Sequence, residues 1–167
     1  MKRLLIIAIV LAGAVAAQAG DLNMMAYVYD TSPTNLRETP GGKVAYVLPT
    51  ECHYVLTFDE VRNGWWSICW VNEVETDVAP RLFGSSTGRY WIHYSVLGLD
   101  TRNYGGRALQ LRAKPSKSAK AVTTLRSSQV VHPMDRSGEW VKVKTLSGKV
   151  GWLPEWELCD NPLTTCP

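Results

Sequence analysis

The chain is 167 residues long, 46% hydrophobic and 20% charged, with a formal net charge of +3. That is enough apolar material for a packed core, and too little net charge to bind a polyanion by global attraction. A basic start (Lys2, Arg3), an apolar run from Leu4 to about Ala17 and the small-residue triplet Ala17-Gln18-Ala19 read as a cleavable secretory signal over residues 1–19.

That run is too short for a comfortable membrane span, although an uncleaved anchor is the competing reading. Cleavage before Gly20 is expected to leave 148 residues with 16 basic and 15 acidic side chains. No later apolar run is long enough to cross a bilayer, so the mature chain is expected to be soluble, in the periplasm or secreted. Nucleic acid is not an expected partner there. The charge is uneven: residues 20–100 hold 5 basic and 10 acidic side chains, and residues 101–167 hold 11 and 5. The halves could attract each other, or the second could meet an anionic surface.

After the signal, alternating and β-favouring residues dominate. Ala26 to Tyr29 reads as a first strand ended by the turn formers Asp30-Thr31-Ser32-Pro33. Leu36 enters the core and Thr39-Pro40-Gly41-Gly42 turns the chain. Val44–Leu48 and Cys52–Phe58 are further strands. Asn63-Gly64 is a hairpin signal, followed by the strand from Trp65 to Val71. An acidic, irregular insertion over about residues 72–87 precedes Gly88-Arg89-Tyr90-Trp91-Ile92. Residues 101–106, with Asn103 and paired glycines, have the look of a linker.

The plan then repeats. Leu109–Arg112 opens it, Pro115–Lys120 is a basic loop, and Ala121–Leu125 and Gln129–Met134 are strands. Ser137-Gly138 turns into the alternating Trp140–Lys144, and Ser147-Gly148 turns into Val150–Leu153, with Trp156 and Leu158 closing the module. Five short strands per module are too few for a large sandwich, but they can close into a small barrel that removes exposed edges. The expectation is an all-β protein with one module over 20–100, a second over 107–158 and a tail over 159–167. Four cysteines allow three pairings. Cys52 with Cys69 is favoured because they lie in successive strands, and Cys159 with Cys166 because it closes a short C-terminal loop.

Leu36-Arg37-Glu38-Thr39-Pro40 and Leu111-Arg112-Ala113-Lys114-Pro115 resemble, in reduced form, the opening signature of the bacterial SH3 (SH3b) family. Gly64-Trp65-Trp66 and Gly138-Glu139-Trp140-Val141 resemble the family's middle strand. Gly148-Lys149-Val150-Gly151-Trp152-Leu153 through Leu158 is similar to its closing run, with Gly88-Arg89-Tyr90-Trp91-Ile92 as the divergent counterpart. The resemblance implies two SH3-like β-barrels in tandem and a recognition role.

Tyr27, Tyr29, Trp65, Trp66, Trp91 and Tyr94, with Trp70, make the first module rich in aromatics. Strand alternation sends Trp65 to one face and Trp66, Ile68 and Trp70 to the other, so some rings should reach a surface where they could grip a ligand. The plainer reading is that they cover barrel ends or pack between modules. Trp140 and Trp156 carry the same two readings, with Trp152 assigned to the core. Arg112 and Lys114, with Lys117 and Lys120, could meet carboxylates or phosphates, or be solvated loop charges.

Cys52-His53 near Cys69 invites a thiol-nucleophile reading, but no cysteine opens a helix that would stabilise its thiolate. A zinc site from His53, Cys52, Cys69 and His93 lacks short-range spacing. Acidic pairs such as Asp59-Glu60 read as a solvated rim. No catalytic residue, metal or cofactor is expected. The expected function is binding without catalysis, to a peptidoglycan peptide or another extended peptide. The alternative is an interaction subunit, inhibitor or immunity-type protein acting on an envelope protein.

Overall fold

The structure, a computed structural model, describes residues 23–50, 53–73, 89–163 and 166. The secretory signal over 1–19, most of the insertion over 72–87 and Cys52 lie outside the described residues.

Thirteen strands form among the described residues. In the first repeat these are β1 (Met24–Val28), β2 (Thr34–Arg37), β3 (Val44–Leu48), β4 (Val55–Arg62), β5 (Trp65–Glu73), β6 (Tyr90–His93) and β7 (Leu97–Thr101). The second repeat contains β8 (Leu109–Arg112), β9 (Ala121–Leu125), β10 (Val130–Ser137), β11 (Trp140–Thr145), β12 (Val150–Pro154) and β13 (Leu158–Cys159). Single 3-10 turns, η1 (Tyr94–Val96) and η3 (Glu155–Glu157), precede β7 and β13, and η2 (Tyr104–Gly106) lies between the repeats.

The turn chemistry explains the hairpins. Asn63 and Gly64 both take positive φ, at 50° and 80°, and join β4 to β5 with Arg62 opposite Trp65. Such a pair of left-handed residues matches the twist of the strands it connects. In the second repeat the hairpin turns through Gly138, at φ 58°, with Ser137 opposite Trp140.

The two barrels expected in tandem are instead parts of one open hydrogen-bonded path, β3-β2-β6-β5-β4-β1-β7-β10-β11-β12-β8-β9, with β13 added alongside β7. The reason lies in β7. β1 pairs with β4 and β7, and β7 in turn pairs with β10 and β13. The registers correspond: Tyr27 faces Val55 and Gly98 as Asp100 faces Val130 and Cys159. β7 therefore closes the first repeat and opens the second.

Packing follows the topology. One contiguous core runs from Met24, Phe58 and Trp66 to Leu111, Val143 and Leu153. Each fully buried side chain of this size contributes about 1.5–3 kcal/mol. Trp66 is fully buried and its Nε1 donates to the carbonyl of Pro133, 2.8 Å away in the other repeat. Residues 101–106 are tied into the sheet, not a free tether. Thr101 is buried in β7, its hydroxyl donates to Asn103 Oδ1 at 2.8 Å, and the Asn103 amide donates to Leu125 O at 3.2 Å.

Cys159 and Cys166 form the expected disulfide. Cys69 is a free thiol that donates to Thr57 O at 3.4 Å, and its expected partner Cys52 lies outside the described residues. Cys69 is also the extra residue of a β-bulge: Phe58 faces Ile68 and Thr57 faces Trp70. One extra residue inverts which way the following side chains point. Val71 is accordingly buried, while Trp70 is 61% exposed.

Candidate binding clefts

Each repeat places a tryptophan at the start of the strand after its central hairpin turn, opposite a residue just before its 3-10 turn. In the second repeat Trp140 faces Pro154, and in the first Trp65 faces His93. An arginine ends the Leu-Arg strand in both, Arg37 in β2 and Arg112 in β8. Arg112 donates to Ala119 O at 2.9 Å and Arg37 to Gly42 O at 2.6 Å, each clamping the loop that follows it. The guanidinium of Arg112, expected to meet a ligand, is thus partly spent on its own loop.

In the second repeat the loop over 113–120, closed by Ala113 N donating to Lys120 O at 2.9 Å, stands across from η3. Between them lies an open cleft of about 320 Å³. Trp140 and Pro154 supply adjoining apolar surface, and Trp156, 45% exposed, forms the wall on η3. The ammonium of Lys117 lies 5.4 Å above the Trp156 ring, within cation–π range. Gln110, Arg112 and Glu157 complete the polar lining. Arg107 lies 3.6 Å from Glu157. Burial outweighs the pull of Arg107, Arg112 and Lys117 and leaves the Glu157 carboxyl above its usual range.

The first repeat fills the same place with its own rings. His93 lies 4.9 Å from Trp65 and 4.4 Å from Tyr94, and the Arg37 guanidinium sits 5.8 Å over Trp65. The Tyr94 ring packs so close to Gly64 that a Cβ there would fall 2.7 Å from Cδ1. Ser95, at the position of Trp156, bonds His93 Nδ1 at 2.8 Å. Burial lowers the His93 pKa, which favours the neutral ring.

Other expected ligand residues lie elsewhere. Trp66 and Trp91 are buried, at 0% and 6% exposure, and belong to the core. Tyr27 is buried too; its hydroxyl donates to Asp100 Oδ2 at 3.4 Å. Tyr29 is exposed and meets His132 edge-on at 5.6 Å. Lys114 is exposed without lining the cleft, and Trp152, expected in the core, is half-buried.

Gln110 and Pro154 are cleft residues that sequence reasoning missed. For Pro154 the signal was the hairpin register, which sets it opposite Trp140. Among the described residues one group of three potential metal donors comes together, Cys159, Asp160 and Cys166. Two of those are joined in the disulfide.

Residues 107–158 match the bacterial SH3 domain family. No curated protein matches the chain. Among solved structures it is similar to NlpC1 from Trichomonas vaginalis at 12% identity and a TM-score of 0.31, covering 86% of this chain and 48% of that one. NlpC2 from the same organism is similar at 12% identity and a TM-score of 0.31, with 83% and 48% covered. The chain thus spans about half the length of each. None of the described helices is long and apolar enough to cross a membrane.

Proposed function

We propose that this chain is an exported, non-enzymatic binding protein whose second repeat holds an extended peptide, of the cell-wall stem-peptide kind, between loop 113–120 and η3. The observation that carries this reading is the open side-by-side placement of Trp140, Pro154 and Trp156. Flat apolar rings contact a peptide at low entropic cost, and a shallow trough suits an extended chain better than a compact molecule. Lys117 and Arg112 offer positive charge to peptide carboxylates at one wall. Against catalysis, burial first and then Asp59 push the Cys69 thiol up, opposite to an activated thiolate.

The test is co-sedimentation with purified sacculi together with titration of soluble stem peptide followed by tryptophan fluorescence. Saturable binding is expected, weakened at least about ten-fold by Trp140→Ala or Trp156→Ala. Trp65→Ala should bind like the native chain. No retention on sacculi and no saturable titration, or Trp140→Ala and Trp156→Ala both matching the native chain, would overturn the proposal.

A further inference from the structure

A larger cleft, about 500 Å³, opens where the two repeats share β7, well apart from the Trp140 trough in lining residues. Its base is Tyr27 and Asp100, and its rim carries Tyr29, Asp30, Thr31 and His53. Pro162 closes one side, on the tail that the Cys159–Cys166 disulfide ties back to β13. The two repeats differ at this point. Asp100 holds in the second repeat the strand position that Tyr27 holds in the first, so a carboxylate stands where its counterpart buries a ring.

Asp100 is half-buried at the base of the cleft. Among the described residues one donor reaches its side chain, the Tyr27 hydroxyl at 3.4 Å, too long for a strong charge-assisted bond. Burial raises its pKa despite that bond, and the nearby carboxylate in turn adds to burial in raising that of Tyr27. A half-buried carboxylate with one weak donor gains from a cationic partner that brings several N–H groups. Asp30 adds a second carboxylate at the rim. One of its oxygens is committed to Ser32, whose backbone N–H and hydroxyl donate at 3.0 and 2.8 Å. No lysine or arginine is among the lining residues. The exposed Tyr29 ring offers a face to a cation, and the Thr31 hydroxyl can accept from one.

We infer that this cleft is a second binding site, selective for ligands that present an alkylammonium group, which enters past Tyr29 and Asp30 and pairs with Asp100. The site is independent of the peptide trough. Its ligand could be a lysine-type side chain on a peptide or a free diamine, which share the recognised group.

The experiment follows backbone amide shifts by NMR on the mature chain while titrating Nα-acetyl-lysine methylamide, 1,5-diaminopentane and the neutral Nα-acetyl-norleucine methylamide. Saturable shifts at Tyr29, Asp100 and Val130 are expected with the two amines, with the neutral analogue at least ten-fold weaker. Tighter binding of the lysine derivative would point to a peptide source, and tighter binding of the diamine to a free amine. Either supports the site. Asp100→Asn should weaken binding at least five-fold and Asp30→Asn about two- to three-fold, and the exposed Asp30 variant keeps the test valid if Asp100→Asn unfolds. Trp156→Ala should leave amine binding unchanged, so failure of the peptide trough would not count here. Equal affinity for the neutral analogue, no saturable shift, or native-like binding by folded variants at both aspartates would overturn the inference.

Discussion

The two repeats share strand order, hairpin position and an arginine-clamped loop, yet one presents a trough and the other a packed group of tilted rings. Two positions account for most of this. Pro154 and Trp156 in the second repeat leave the Trp140 ring accessible, whereas His93 and Ser95 in the first draw an imidazole over Trp65 and anchor it. Loop length adds to it: the clamped turn in the first repeat closes by Glu38 N donating to Lys43 O, a shorter excursion than the one from Ala113 to Lys120. The same strand order thus accommodates a packed group of rings in one half and an open trough in the other.

The largest expected effect breaks the junction between the copies. Trp66→Ala removes a fully buried ring and its bond to Pro133, and should cost about 3–5 kcal/mol in urea unfolding. Because β7 serves both repeats, the loss should appear in a single transition. Two separate melts, with the second repeat unaffected, would show that the copies fold independently.

Next is the asymmetry between the troughs. Trp156→Ser installs the residue that the first repeat carries at this position. Since Trp156 is 45% exposed, stability should hardly change, while stem-peptide affinity should fall about ten-fold, roughly 1.4 kcal/mol. A variant that binds normally would remove η3 from the site.

The disulfide distinguishes the ends of the repeats, since the Gly98 position of the first is Cys159 in the second. Cys159 and Cys166 are separated by seven residues, and closing so short a loop is worth roughly 2 kcal/mol. Reduction should lower the melting temperature by a few degrees, with the shift absent in a Cys159→Ser, Cys166→Ser double variant.

The smallest effect is a pH dependence at Asp100. Burial raises its carboxyl above the usual range, so the folded chain holds that proton more tightly than the unfolded chain. The resulting stability is full below the ordinary carboxylate range and is lost as pH rises through the raised folded value. Asp100→Asn should therefore gain on the native chain between acid and neutral pH, by less than about 1 kcal/mol after solvent screening. Melting curves at both ends of that range check this; a gap that stays constant contradicts it.

Much was legible before any coordinates. Strand identities, both hairpin turns and the Cys159–Cys166 bridge follow from local chemistry: period-two alternation, residues that tolerate positive φ, and spacing. Trp70 shows where that logic stops. Alternation placed it with Trp66 and Ile68, but the bulge at Cys69 turned it outward, and no local signal marks a bulge set by partner strands. Alternation likewise leaves open whether Tyr27, Trp66 and Trp91 meet a ligand or pack inside, and all three are buried.

By itself the sequence determined an all-β chain with aromatic-rich strands, because those properties depend on residues a few positions apart. Only the tertiary structure decided that β7 belongs to both halves and which rings are buried by that sharing. It also decided that one trough is filled by its own histidine while the other stands open. These outcomes depend on pairings between residues tens of positions apart, where register and side-chain volume at the contact, not local propensity, select the arrangement.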